Sequence, residues 1–183
     1  MRIGISGSAG TGKTTLATEL ARRLGLPFKG EAMRERLAAG FDLHAITPAE
    51  HRALIAADAE GFAPWLADPS GAVTDRTPLD MLAFWLANGY AHDDPPGTAR
   101  LAERAAALCL AYDLVAVLPW GALPLAADGV RSVNPWHQLH LQAVAEGVLA
   151  RFLPPGRLLV LPSALLDVGA RRDHILGELE RMR

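Results

Sequence analysis

The stretch Gly7-Ser8-Ala9-Gly10-Thr11-Gly12-Lys13-Thr14 constrains this chain more than any other part of it. Two glycines frame four residues, and lysine and threonine follow at once, the pattern Gly-x-x-x-x-Gly-Lys-Ser/Thr. Glycines let the backbone turn with its N–H groups pointing inward, which makes a cradle for an anion. A helix opening beyond the loop adds its positive end and its unpaired N–H groups. In such a loop Lys13 reaches the β and γ phosphates of a nucleoside triphosphate, the Thr14 hydroxyl is a ligand to Mg2+, and Thr15 contacts the α phosphate. Gly7, Ser8, Ala9, Gly10, Thr11, Gly12, Lys13, Thr14 and Thr15 are therefore the expected nucleotide site, with ATP the expected ligand and GTP compatible with the same chemistry. The competing explanation is a chance glycine-rich turn. The strand-like run Arg2–Ser6 before it and the helical spacing of Leu16, Leu20, Ala21 and Leu24 after it count against chance.

Lysine usage points the same way. Of 18 basic residues only Lys13 and Lys29 are lysine. A chain that otherwise uses arginine has kept a slim ammonium inside the glycine loop, where a wide guanidinium fork fits poorly between phosphate oxygens.

Strand and helix patterns alternate along the rest of the chain. Leu26–Glu31 is a short strand candidate, followed by a charged helix over about 32–39. Thr47-Pro48-Ala49-Glu50 is a capping box with proline at the first helical position, and predicts a long helix toward Leu66. Gly71–Asp75 reads as a strand, and Thr77-Pro78-Leu79-Asp80 repeats the capping-box pattern to open a helix to about Asn88. His92–Gly97 reads as a loop, with a helix after it. Leu114–Leu118 is an apolar run expected of a strand buried on both faces. A helix precedes Pro154, Arg157–Leu161 reads as a last buried strand, and Leu165–Met182 as a terminal helix. This order argues an α/β fold with a parallel sheet covered on both faces. Ligands in such sheets sit beyond the carboxyl ends of the strands, so the residues just after each strand are the candidates.

Glu31 and Arg34 follow the second strand candidate. A carboxylate there can accept the proton of an attacking hydroxyl, and an arginine can hold substrate or phosphate. A solvated first helical turn explains Glu31 equally well. Asp75 and Arg76 follow the third strand, where a carboxylate holds Mg2+ through water and an arginine clamps a phosphoryl group. Thr77 and Asp80 are explained as a capping pair. Arg131 lies in an irregular stretch after the fourth strand and is either an ordinary surface arginine or a lid group placing charge against the transferring phosphoryl group. His137 and His140 share a helix face without a third metal ligand nearby, so surface or packing roles are expected. Arg171 and Arg172 are expected to face solvent. Phe62, Trp65, Phe84 and Trp85 are expected in the core, the alternatives being an acceptor cleft or a homodimer interface.

Composition limits the partners. At 183 residues and a net charge of −2, one domain spanning 1–183 is expected, with no basic excess to suggest nucleic acid. Apolar stretches are interrupted well short of a membrane span and no signal-peptide pattern is seen, giving the expectation of a cytoplasmic protein. The one cysteine, Cys109, sits in an apolar run and is expected to pack in the core.

Four features together resemble the P-loop nucleoside and nucleotide kinases, and more narrowly the AAA-type ATPase family that includes the ribosylnicotinamide kinase domain of bifunctional regulators of NAD synthesis. They are the loop Gly7–Thr15, Glu31-Ala32-Met33-Arg34, Thr74-Asp75-Arg76-Thr77-Pro78-Leu79-Asp80 and Asp128-Gly129-Val130-Arg131. The Asp-Arg-Thr run is similar to the acidic-Arg-Ser/Thr segment of deoxynucleoside kinases. The resemblance implies a three-layer fold with a five-stranded parallel sheet in the order 2-3-1-4-5 and a short lid, about 121–136. It also implies catalytic roles for Lys13, Glu31, Asp75, Arg76 and Arg131, substrate contacts at Glu31, Arg34 and Arg76, and Mg2+ held by Thr14 and Asp75. The activity it implies is transfer of the ATP γ-phosphoryl group to a nucleoside, nucleotide or related hydroxyl metabolite. A nucleotide-dependent switch or a partner-activated ATPase is the alternative from another class, and a deep second pocket beside Glu31 and Arg76 counts against it.

Overall fold

The structure is a computed structural model that describes residues 1–124 and 133–182. Its elements run β1 (Arg2–Ser6), α1 (Lys13–Leu24), β2 (Phe28–Lys29), α2 (Ala32–Ala38), α3 (Pro48–Glu60), α4 (Ala63–Ala67), β3 (Ala72–Asp75), α5 (Pro78–Ala87), α6 (Tyr90–Asp93), α7 (Pro95–Cys109), β4 (Leu114–Val117), α8 (Pro135–Phe152), β5 (Leu158–Val160) and α9 (Val168–Arg181). The five strands form one parallel sheet in the order β2-β3-β1-β4-β5. This is the expected order, and it places β1 and its following loop at the centre.

The alternation of side chains along each strand divides the core into two layers. Ile3 and Ile5 of β1, with Leu114 and Ala116 of β4, face α1 and α9. Val115 and Val117 of β4 face the other way, into the cluster built by α3, α5, α7 and α8. All four β4 residues are buried, which explains the unbroken apolar run in the sequence. Cys109 is buried at the end of α7, as expected, and burial pushes its thiol up to about 12.

Both capping boxes form. Thr47 and Glu50, and then Thr77 and Asp80, exchange side-chain and backbone hydrogen bonds at the starts of α3 and α5. Three expectations need correction. The helix from Pro48 does not run unbroken to Leu66: it ends at Glu60, and a second short helix starts at Ala63, because Pro64 has no N–H to continue the ladder. His92–Gly97 is a junction between two helices. Asp94 accepts from the Gly97 N–H and caps α7, with Pro95 and Pro96 at the positions that need no donor. The last strand is a half-covered edge rather than a buried one: it pairs only with β4, and Val160 is more than half exposed. Most of the expected lid, residues 125–132, lies outside the described residues; beyond it α8 starts at Pro135, capped by Asn134. Among the described residues no helix is long and apolar enough to cross a membrane.

Candidate functional site

The carboxyl ends of β1, β2 and β3 bring the expected residues to one place. Gly7 leaves β1 at φ 131°, and a Cβ on it would stand 2.8 Å from the Leu118 carbonyl oxygen. Gly12 has φ 90° and forms the N-cap of α1, so both framing glycines hold conformations that side chains resist. Between them the loop folds onto itself: the Thr11 hydroxyl donates to the Ser8 carbonyl at 3.0 Å, and Lys13 Nζ donates to the same oxygen at 2.7 Å. Lys13 is 4% exposed. Burial, and next the Arg76 charge, lower its ammonium to about 8, while Glu31, Asp75 and Asp80 oppose the shift. A phosphate group in the cradle would supply the anion this ammonium lacks. Thr15 is exposed in the first turn of α1.

The Thr14 hydroxyl donates to Asp75 Oδ2 at 2.5 Å, linking the loop to the end of β3. Asp75 is fully buried, and its Oδ1 has no hydrogen-bond partner. One hydroxyl and one carboxylate oxygen, the latter buried and unsatisfied, fit a small hard cation that draws its remaining oxygens from phosphate and water. No cluster of three or more His, Cys, Asp or Glu suited to a metal occurs among the described residues, so a cage built from protein alone is not what this site offers.

Arg76 is the centre of the second half. Its backbone takes φ 83°, unusual for a residue with a side chain, and costs about 1–3 kcal/mol. The conformation is fixed from both sides: its N–H donates to the Ile5 carbonyl, and its carbonyl accepts from the Thr74 hydroxyl at 2.7 Å. The side chain is thereby aimed across the sheet ends. Nε donates to Glu31 Oε1 at 2.6 Å, Nη1 to the Gly7 carbonyl at 3.0 Å, and the guanidinium lies 4.7 Å from the centre of the Phe84 ring. Burial raises the Glu31 carboxyl, but the charge of Arg76, then of Lys13, together with the Arg76 hydrogen bond, hold it down to about 2. Glu31 is thus an anion at neutral pH, suited to orient a hydroxyl by accepting its hydrogen bond. Arg34 stands one turn on, its Nε buried without a hydrogen-bond partner.

Two adjoining cavities open from this group. One, of about 190 Å³, is lined by Gly7, Ser8 and Ala9 of the loop together with Glu31, Arg34 and Arg76. The other, of about 200 Å³, shares Glu31, Arg76 and Phe84 and extends between α3 and α5 past Ile55, Phe62 and Met81. Of the aromatic residues, Phe62 and Trp85 are core as expected, Phe62 also lining the second cavity; Phe84, partly buried, lines both cavities, and half-buried Trp65 lies outside the core clusters. His137 also lines both cavities.

Sequence reasoning missed four groups. Asp80 caps α5 as expected, but its Oδ1 also accepts from the Ser6 hydroxyl at 2.7 Å and faces Arg76 Nη1 at 3.5 Å, so it holds the arginine as well. Gln138 and Gln142, four residues apart and buried on α8, accept from the Ala9 and Ser8 N–H groups at 3.0 and 2.7 Å. Gln142 also donates to the Leu118 carbonyl, joining the loop to the end of β4. Two glutamines at helical spacing among apolar neighbours were the available signal. Arg171 does not face solvent: it is 2% exposed and donates to the Thr11 carbonyl at 2.8 Å and the Leu165 carbonyl at 2.6 Å, bracing the loop from behind. Arg172 instead pairs with Glu19 and Asp173. Arg131 lies outside the described residues.

Comparison with known proteins agrees with this fold. A family model described as AAA domain matches residues 2–154. No curated protein matches the sequence. Among solved structures, deoxyadenosine kinase from M. mycoides, with products dCMP and dCDP bound, is similar at 18% identity and a TM-score of 0.67, covering 99% of this chain and 100% of that one. The NadR protein in complex with NAD and AMP-PNP is similar at 19% identity and a TM-score of 0.68, covering 98% of this chain and 48% of that one. The YorR protein from Bacillus subtilis, in complex with phosphorylated GDP, is similar at 14% identity and a TM-score of 0.63, covering 100% and 99%. This chain therefore has the fold of these proteins and spans about half the length of NadR.

Proposed function

We propose that this chain, which belongs to the AAA domain family, is an ATP-dependent phosphotransferase that moves the γ-phosphoryl group to a hydroxyl of a nucleoside-like small molecule. The observation that carries this reading is the link from Glu31 through Arg76 to the Gly7 carbonyl, which joins the second cavity to the phosphate loop. A hydroxyl bound at Glu31 would enter the cavity that Ser8, Ala9 and Arg76 also line, facing the site of a γ-phosphate. The ligands named for the similar structures, nucleotides and nucleotide analogues, support a nucleotide donor and a nucleoside-like acceptor.

In this reading the loop N–H groups and Lys13 hold the β and γ phosphates, and Thr14 and Asp75 hold Mg2+, which when bound neutralises charge on those phosphates. Glu31 accepts the hydrogen bond of the acceptor hydroxyl and fixes the line of attack; the proton follows it as the new O–P bond forms. Arg76, already charged and bound to Glu31, and Arg34 offer N–H groups to the oxygens of the phosphoryl group as it leaves ADP. Arg131 is the proposed lid arginine. The second cavity favours this reading over a switch or a partner-activated ATPase, which needs no acceptor compartment. The test is release of ADP from ATP and Mg2+ against a panel of nucleosides, nucleotides and other hydroxyl metabolites. Stimulation by one chemical class of acceptor is expected. Hydrolysis indifferent to every acceptor and raised by a protein partner would replace this reading with the ATPase one.

A further inference from the structure

Lys29 is the one lysine outside the phosphate loop, and the roles assigned so far leave it unused. It ends β2, two residues before Glu31, and is 9% exposed. Its Nζ stands 4.0 Å from the centre of the Phe62 ring and donates to the Gly30 carbonyl at 3.3 Å, a long hydrogen bond. Among the described residues it forms no ion pair with a carboxylate. Asp58, which lines the same cavity, is engaged by both terminal nitrogens of Arg36 at 2.7 and 2.5 Å. Asp75 accepts from Thr14, and Glu31 from Arg76. An ammonium has three N–H groups to place, and burying it underused is costly.

The place of this ammonium gives the cost a use. It lines the second cavity with Ile55, Phe62, Met81 and Phe84, walls that are apolar and partly aromatic. A molecule whose hydroxyl sits at Glu31 must lodge its remaining bulk there, and a flat ring suits those walls. Of the two cationic donors on those walls, Arg76 is already engaged by Glu31 and the Gly7 carbonyl, which leaves Lys29 to meet the ring. A carbonyl oxygen or unprotonated ring nitrogen completes the ammonium's hydrogen bonds. A permanently cationic ring does not, and it is repelled at short range where water is excluded.

We propose that Lys29 determines acceptor specificity, selecting a neutral heteroaromatic ring with a hydrogen-bond-accepting edge and rejecting a cationic one. The inference rests on the acceptor reading of the cleft but concerns binding, so it can be measured apart from turnover. Uridine, guanosine and nicotinamide riboside, the last with a pyridinium ring, would be titrated calorimetrically into the wild-type chain, Lys29→Met and Lys29→Gln. Binding of a non-hydrolysable ATP analogue serves as the check that each variant is folded. The wild type should bind uridine or guanosine at least tenfold more tightly than nicotinamide riboside. Lys29→Met should bring that ratio below threefold without changing affinity for the ATP analogue, and Lys29→Gln, a neutral donor, should fall between. The proposal is overturned if the wild type prefers nicotinamide riboside, if the ratio survives in Lys29→Met, or if none of the three nucleosides binds. The expected ratios without any phosphoryl transfer would leave Lys29 as proposed and remove the phosphotransferase reading. Transfer with ratios indifferent to Lys29 would do the reverse.

Discussion

The donor and acceptor halves of the cleft are built by different means. The donor half is one continuous loop of backbone between β1 and α1, held by its own glycines and braced by Gln138, Gln142 and Arg171. The acceptor half has no such loop. It is assembled from side chains on β2, β3, α3 and α5, and its central pair, Glu31 and Arg76, lies 45 residues apart in sequence. A site for phosphate, which looks alike on every nucleotide, can be made from backbone N–H groups that all residues share. A site that distinguishes one acceptor from another must be made from side chains, and those vary.

Substitutions should separate the halves. The largest effect is expected for Lys13→Met, a loss of about 10³-fold in kcat, since the charge it supplies grows in value as the phosphoryl group leaves. Nucleoside affinity measured by calorimetry should stay within about twofold, because binding in the second cavity makes no use of this ammonium. A joint loss would mean the halves are not separable. Next comes Arg76→Ala, which strips partners from Glu31 and from Asp80. Breaking a buried pair costs about 3–5 kcal/mol, readable in urea denaturation, and acceptor-dependent turnover should fall with it. Unchanged stability would show that the acceptor half is not held by this arginine.

A smaller effect concerns acid. The Glu31 carboxyl sits at about 2 in the fold against an ordinary 4.5. As pH falls, the unfolded chain therefore takes up this proton first. The stability Glu31 contributes is complete above pH 4.5 and is lost between pH 4.5 and 2, and Glu31→Gln should flatten that part of the stability curve. The smallest expected effect is that of Gln142→Leu. It leaves the Ser8 N–H and the Leu118 carbonyl without their partner at a cost of about 2 kcal/mol, and should raise the KM for ATP while leaving acceptor affinity alone. A change in acceptor affinity would couple Gln142 itself to the acceptor half, which α8 already reaches through His137.

The same contrast explains what could be read from the sequence. The loop was legible because its chemistry needs contiguous residues with fixed spacing, and Gly7 and Gly12 adopt the positive φ values the motif implies. The sheet followed from alternating patterns, apart from its edge: Arg157–Leu161 is as apolar a run as Leu114–Leu118 after its first residue, and nothing in the letters marks Val160 as exposed. The α3–α4 break and the α7 cap escape a hydrophobic period because the missing N–H of Pro64 and the capping carboxylate of Asp94 act through local hydrogen bonding. In the site, Asp75 and Arg76 were identified by position after a strand. Their neighbours Asp80, Gln138 and Gln142 were missed because each first satisfies an ordinary rule of capping or helix composition. Arg171 was misplaced because it braces a loop 160 residues away, and nothing local marks a contact of that kind.

The central claim is that one cleft holds donor and acceptor together, and the most direct measurement follows the phosphorus atom itself. ATP labelled in the γ-phosphoryl group would be incubated with the chain, Mg2+ and the nucleoside that best stimulates ADP release, and the labelled products separated. The account predicts that the label appears on a hydroxyl of the nucleoside, and that Arg76→Ala sharply reduces its appearance there. Label found only as inorganic phosphate, at a rate the nucleoside does not change, would contradict it.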